Sequence, residues 1–442
     1  MAHDGTHIIA APIKSKPAAL GAGGGLPQLD ISRCLPPTAP LTPPEQPEPA
    51  AQAEATVVVD RSRVIGAGQY STVCLGTLVA GAGRRACAIK IPHAGSLDAR
   101  ELGLIEAAAL WQAGSAAQTV GCYGLVDLAA LSARGVGAVR VWPAAAAQAI
   151  AGDGEWALVL ELCEGGACWA RMQAQRPGMD ADLFFVWARQ LATALAALEA
   201  AGMAHMDIKP HNLLLTADGH VRLADFTAAR FSAQALEAMR LASPGFDPRA
   251  YPPYADFSGT VPYSAPEALT PASSSLHKAD VFALGVTLYV LFVSGREPFA
   301  TVKSAVEQML LVSKGAFWEW EERHSIATLQ SAADPHCTHT LPPPTPVDSH
   351  GTLTLPPPSP VEPPHPLSRS LSLGPKPLAR RRTLKSRKAA PREFRRFLSG
   401  DLLPVSVEAL LRDMVNPDPD LRPDAAEILR VLDSIEAQVF EP

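Results

Sequence analysis

Eight residues, His205-Met206-Asp207-Ile208-Lys209-Pro210-His211-Asn212, set a carboxylate, an ammonium group and a carboxamide two and three residues apart. Pro210 interrupts any regular element, so the cluster must lie on a loop. Such a loop can meet a hydroxyl, a phosphate and a metal ion together. Asp207 could take a substrate proton, Lys209 could neutralise a phosphoryl oxygen and Asn212 could hold Mg²⁺. Asp, Lys and Asn also crowd ordinary turns. The choice depends on whether the rest of the chain supplies the complementary parts in order.

Three further groups bear on that choice. Gly66-Ala67-Gly68-Gln69-Tyr70-Ser71-Thr72-Val73 lies between two strand candidates, one ending at Ile65 and one over Ser71 to Leu75. Glycines between two strands disfavour a dinucleotide fold, where they open a helix, and favour a hairpin folded over phosphates. Lys90 follows Ala88-Ile89 on a third strand, Ala86 to Ile91, and an ammonium on a buried strand needs an acidic partner. The helix expected over Leu97 to Ala113 offers Glu106 and Glu101. Glu106 is preferred because Leu110, one turn later, would face inward beside it; a solvated helix face is the other reading of both. Lastly, Leu213 to Leu215 and His220 to Leu223 read as a hairpin turning at Ala217-Asp218-Gly219. It would return Asp225 to the side of Asn212, two hard oxygen donors suited to a metal that also binds phosphates.

The elements that must position these groups follow from periodicity. Strand candidates at Val120 to Val126 and Trp156 to Leu162 flank an Ala/Gly-rich loop through residues 132 to 155, giving a small sheet with one helix. After Gly165-Gly166 the pattern turns helical. Phe184 to Ala201 places Leu191, Leu195 and Leu198 at helical spacing and leads into the octapeptide. An apolar helix near 281 to 293, interrupted by Gly285 and Thr287, reads as buried rather than membrane-spanning, and helical sequence continues to about Glu322. Asp424 and Glu427 form a capping box for the last helix.

These motifs, in this order over residues 57 to 325 and 393 to 438, resemble a eukaryotic protein kinase of the Ser/Thr type. The resemblance implies an α+β, bilobal fold with a small β-rich N-lobe carrying one main helix and a larger helical C-lobe. It implies that ATP lies under Ile65, Gly66, Gly68, Ser71 and Val73, against Ala88. Lys90, paired with Glu106, would hold the α and β phosphates, and Glu161 and Cys163 would offer backbone groups to adenine behind Leu160. It assigns Asp207 as catalytic base with Lys209 beside it, and Asn212 and Asp225 to Mg²⁺. Ser264-Ala265-Pro266-Glu267 would close the activation segment, Glu267 would pair with Arg422, and Asp280 would anchor the catalytic loop. Lys209 and Thr260 resemble Ser/Thr-specific members. His205 to Pro210 and Lys278 to Leu284 are similar to the Wee kinases in two short blocks.

Two departures stand out. Met206 replaces the Arg that usually precedes the catalytic Asp, and the position commonly phosphorylated, three before Gly259, is Asp256. Receiver and phosphate are both missing, which predicts activity independent of phosphorylation there. Thr227 replaces a Gly, and its β-branch should make a flipped-out Asp225-Phe226 harder to reach. The segment from Asp225 to Glu267 is 43 residues long, with Pro244 to Pro253 in its middle. The rival reading raised by Met206 and Thr227 is a pseudokinase or scaffold. Retention of Lys90, Asp207, Asn212 and Asp225 argues for catalysis.

Composition excludes other classes. A net charge of −6 leaves no excess of positive charge for a dedicated nucleic-acid domain. Seven scattered cysteines without CxxC pairs suggest neither a disulfide framework nor zinc, and the expectation is a reduced intracellular protein, in cytoplasm or nucleus and monomeric. Residues 1–56, rich in Pro, Ala and Gly, are expected to be disordered. So is an insertion over 327–392, where residues 335 to 391 hold 15 prolines and the repeats TLPPPTPV and TLPPPSPV. The repeats could dock SH3 or WW modules, and the basic run Arg380 to Lys388 could be a nuclear-import signal or bind acidic surfaces; a solvated linker is the other reading.

Overall fold

Alternation along one strand decides where Lys90 points. The computed structural model describes residues 55–114, 118–140, 155–242, 259–269, 276–332 and 395–440. Strands β1 (Thr56–Ala67), β2 (Ser71–Ala80) and β3 (Gly83–Pro92) form an antiparallel meander, followed by helix α1 (Leu97–Ala113) and strands β4 (Cys122–Asp127), β5 (Val136–Arg140) and β6 (Trp156–Glu161). The six strands close into a barrel in the order β1-β2-β3-β6-β4-β5. Successive side chains on a strand face opposite ways. Cys87 and Ile89 therefore fill the barrel with Val57, Leu78, Ala157 and Val159, while Ala88, Leu158 and Leu160 join the main core with Ile105 and Leu110. Lys90 shares the face of Ala88 and so looks toward α1.

The loop expected over 132 to 155 is corrected here. Val136–Arg140 is a strand that pairs with β4 and with the start of β1, Val58 opposite Val136 and Thr56 opposite Ala138. It closes a hairpin with the preceding β4, and its second partner, the start of β1, lies far earlier in the chain, where a local pattern does not reveal it. Residues 141–154 of the expected loop lie outside the described residues.

Past β7 (Gly166–Ala167) and helix α2 (Cys168–Ala174), helix α3 (Ala181–Ala200) begins three residues before the expected start, because Asp180 caps it by accepting from Leu183 N at 3.0 Å. Its apolar face buries Phe184, Trp187, Leu191 and Leu195. Strands β8 (Met203–Ala204), β9 (Leu213–Leu215), β10 (Val221–Leu223) and β11 (Arg230–Phe231) then flank the octapeptide and Asp225, and helix α4 (Ala233–Ala242) follows. Helix α5 (Leu276–Tyr289) is buried from Ala279 to its end and is the expected central helix; it loosens into a π-turn over Val290–Ser294. Ala181–Ala200 and Leu276–Ser294 are long and apolar enough to cross a membrane, yet 61% and 83% of their apolar windows are buried, as befits core helices. Helices α6 (Ala305–Ser313), α7 (Phe317–Ala332), α8 (Val405–Met414) and α9 (Ala425–Phe440) complete the described C-terminal part.

The capping box forms as expected: Glu427 N donates to Asp424 Oδ1 at 2.7 Å and Asp424 N to Glu427 Oε2 at 2.9 Å. Helix α7 runs through Ala332, ten residues beyond Glu322 and past the expected start of the insertion at 327. The chain divides into two compact units, residues 1–323 with 394–442, and residues 324–393. Among the described residues, the elements that carry the candidate site lie in the first; of the second, the end of α7 is described. The Pro-rich repeats, the basic run Arg380 to Lys388, Asp256 and Pro244 to Pro253 fall outside the described residues, as does nearly all of the tail 1–56.

Candidate active site

Lys90 is 8% exposed and Glu106 1%. Lys90 Nζ lies 2.9 Å from Glu106 Oε1, 2.7 Å from Oε2 and 3.0 Å from Asp225 Oδ1. Glu101, the other candidate, is exposed and belongs to the solvent face of α1. Burial alone would lower the Lys90 ammonium, but the carboxylates of Asp225 and Glu106 outweigh it and hold it above the ordinary lysine value. Burial would raise Asp225; the Lys90 ammonium more than reverses that and draws it to about 2. Strand β3, helix α1 and the second residue after β10 thus meet at one ammonium group.

Hairpin geometry brings Asp225 there. Val221 pairs with Leu215 and Leu223 with Leu213, and Ala224 N extends the ladder by donating to the Asn212 carbonyl at 2.9 Å. Gly219 takes the left-handed turn position at φ +84°. Buried Gln190 of α3 accepts from Val221 N at 3.0 Å and fixes the hairpin to the C-lobe core. Asp225 itself is left-handed, φ +65° and ψ +72°, uncommon for a residue with a side chain.

Around Asp207 the donors converge. Asn212 Nδ2 donates to the Asp207 carbonyl at 2.8 Å and to Oδ2 at 2.9 Å, Lys209 Nζ lies 2.8 Å from Oδ2, and Thr260 Oγ1 donates to Oδ1 at 2.7 Å. Lys209 Nζ also donates to Thr260 Oγ1 at 2.7 Å. The loop hangs from α5. Asp280 accepts from His205 N at 2.6 Å and Met206 N at 2.8 Å, and Thr287, two turns later on the same face, donates to the Ile208 carbonyl at 3.2 Å. Burial pushes the Asp280 carboxyl up to about 7 in spite of those two N–H bonds. His205 is fully buried, lies 3.1 Å from the Ala224 carbonyl through Nε2 and meets the Phe226 ring edge-on at 4.6 Å. Burial lowers its pKa, which keeps it neutral.

Met206 takes φ +66° and packs against the core rather than standing as a charged receiver. Its carbonyl explains Gly259: a Cβ there, at φ +135°, would lie 2.5 Å from Met206 O. At the end of the segment, Arg422 pairs with Glu267 as the resemblance implies, Nη2 donating to Oε2 at 2.9 Å and Nη1 to Oε1, with further bonds to the carbonyls of Asn416, Lys278 and Pro417.

The Gly-rich turn joins β1 to β2, with Gly66 opposite Val73 and Gly68 N donating to the Ser71 carbonyl at 2.9 Å. Ile65 and Val73 pack against the core that also holds Ala88 and Leu160. The Glu161 side chain and amide are tied to the strand end, which leaves its carbonyl as the backbone group it could offer. Its amide already donates to the Gly121 carbonyl at 2.7 Å, and its Oε2 accepts from Gly121 N at 3.0 Å and Arg222 Nε at 3.3 Å. The Cys163 carbonyl accepts from Gly166 N at 3.2 Å, and burial pushes its thiol up to about 12.

The residues present fit a divalent metal. Asn212 Oδ1 is buried with no hydrogen-bond partner, while its amide nitrogen is committed to Asp207, so the amide cannot flip to satisfy the oxygen. A cation shared with the Asp225 carboxylate would satisfy that oxygen. Sequence reasoning missed two contacts at this centre. Thr260 touches Asp207 directly, and Thr227 sits in a 3₁₀ turn over Phe226–Ala228, where a β-branched residue fits and its Oγ1 donates to Asp225 Oδ1 at 3.0 Å. A hydroxyl where a glycine was expected was the available signal for the second.

Barrel, helical lobe and the Lys90–Glu106–Asp225 cluster together define a protein kinase fold. The family model described as "Protein kinase domain" matches residues 59–431, and the chain belongs to that family. Among curated relatives, the 3-phosphoinositide-dependent protein kinase 1 of Arabidopsis thaliana is 34% identical over 142 residues, covering 32% of this chain and 27% of that protein. A calcium/calmodulin-dependent serine/threonine-protein kinase of Malus domestica is 32% identical over 166 residues, covering 37% and 35%. The serine/threonine-protein kinase PknL of Mycobacterium tuberculosis is 32% identical over 187 residues, covering 40% and 43%. The chain thus spans between about a quarter and under half of the length of these relatives.

Proposed function

We propose that the chain transfers the γ-phosphoryl group of ATP to Ser or Thr hydroxyls of protein substrates. The observation that carries this reading is Lys90 held between Glu106 and Asp225, beside a buried Asn212 oxygen that lacks a partner. Asp207 accepts the substrate hydroxyl proton on its carboxylate, and Lys209 and Thr260 hold that carboxylate in place and offset charge at the transferring group. Lys90 binds the α and β phosphates, with Ile65, Gly66, Gly68, Ser71, Val73 and Ala88 around the nucleotide. The Glu161 carbonyl and the Cys163 backbone face adenine. Mg²⁺, held by Asn212 Oδ1 and Asp225, would neutralise phosphate charge when bound.

Activity without phosphorylation of the activation segment belongs to the same reading. Met206 packs with the core and Asp280 already holds the loop amides, so no phosphate is needed to order them. The domain reading that accompanies it is a kinase domain over 57–438, with lobes 57–165 and 166–438, interrupted by a Pro-rich, basic insertion over 327–392. Protein substrates, SH3 or WW partners for the insertion, a monomeric state and an intracellular site of action complete the proposal. Purified full chain with Mg·ATP and generic protein substrates tests it against Asp207→Asn and Lys90→Met. Equal incorporation by all three would leave the scaffold reading in its place.

A further inference from the structure

Asp225 Oδ1 receives two donors from opposite sides. Lys90 Nζ reaches it at 3.0 Å from β3, and Thr227 Oγ1 reaches it at 3.0 Å from the 3₁₀ turn that follows. The turn is closed by Ala229 N donating to the Phe226 carbonyl at 3.0 Å, which fixes the direction of the Thr227 side chain. Asp225 has left-handed torsions, uncommon for a residue with a side chain, so its orientation depends on such contacts. The other carboxylate oxygen takes neither bond. Ala224 N, bonded to the Asn212 carbonyl, holds the chain before Asp225 against Asn212, whose buried Oδ1 has no partner.

We propose that Thr227 is a positioning residue for the metal–nucleotide complex. Its hydroxyl holds the Asp225 carboxylate in the rotamer that leaves one oxygen for a divalent cation shared with Asn212 Oδ1. The proposal rests on the phosphotransfer reading for the identity of that complex. With glycine at this position the carboxylate would be held by Lys90 alone, and the turn would regain torsional freedom.

Valine separates hydroxyl from shape, since it keeps the β-branch and removes the donor. The test is ADP binding to the full chain by isothermal titration calorimetry over a series of Mg²⁺ concentrations, for wild type, Thr227→Val, Thr227→Ala and Thr227→Ser. No turnover is needed. The Val and Ala variants should raise the Mg²⁺ concentration for half-maximal ADP binding by about fivefold to tenfold, less than a whole hydrogen bond to a carboxylate because Lys90 remains. Affinity for ADP without Mg²⁺ should stay unchanged, and Ser should restore wild-type behaviour. Val and Ala within twofold of wild type, or equal losses with and without Mg²⁺, would overturn the proposal, as would a wild type that binds no Mg·ADP. If wild type shows the expected Mg²⁺ dependence but transfers no phosphate, the phosphotransfer reading falls and the positioning role stands.

Discussion

Arg422 is 2% exposed and its side chain is fully enclosed, so its removal should be among the most damaging changes in the C-lobe. Arg422→Met keeps much of the volume but strips Glu267 of its bidentate partner and leaves the carbonyls of Asn416, Lys278 and Pro417 with fewer donors. Breaking a buried ion pair by removing one partner costs about 3–5 kcal/mol, because the remaining charge is uncompensated. Glu267 is 14% exposed, so water can reach it in part, and the expected loss is about 3 kcal/mol. Urea unfolding monitored by tryptophan fluorescence reads this as a shift of midpoint at constant slope. Glu267→Gln in the Arg422→Met background should then cost little more, giving a coupling of about 1–3 kcal/mol in the double-mutant cycle. A loss below about 1 kcal/mol for Arg422→Met, or additive single losses, would refute the claim that this pair pins the end of the activation segment.

Three other perturbations test separate parts of the account. Asp225 has a folded pKa drawn down to about 2 from an ordinary 3.8, so its contribution is complete above about pH 5 and is lost as pH falls toward 2. The stability gap between wild type and Asp225→Asn should shrink by about 2 kcal/mol over that range, and a pH-independent gap would contradict the Lys90 pairing. Gly259→Ala forces a Cβ to within 2.5 Å of Met206 O at φ +135°, and should lower phosphotransfer at least tenfold in a steady-state assay while the melting temperature falls by only a few degrees. Phosphatase treatment should leave activity within about twofold, because Met206 offers no charge to a phosphate and the loop amides are held by Asp280; a large, reversible loss mapped to residues 243–258 would count against this.

Where a local pattern carried the information, the chain was readable. Lys90, Glu106, the β9–β10 hairpin and the Asp424/Glu427 capping box follow from side-chain type and spacing, and the structure places them as expected. The Glu267–Arg422 pair, 155 residues apart, came through resemblance alone. Strand β5 is hard to see in the sequence because Val136–Arg140 is short, contains Gly137 and is held on one side by the distant start of β1 as well as by β4. The engaged amide of Glu161 was also invisible, since it depends on how Gly121 closes on the strand end. Thr227 was read for the torsional restriction of its β-branch. Its hydrogen bond became apparent only once the turn fixed where the hydroxyl points.

The most direct test of the central claim is incorporation of labelled phosphate into a generic Ser/Thr protein substrate by the purified full chain with Mg·ATP. Asp207→Asn and Lys90→Met serve as paired controls. Wild type should transfer phosphate, dependent on Mg²⁺, and each variant should lose about a hundredfold or more. Incorporation that is absent from wild type, or equal in all three proteins, would contradict it.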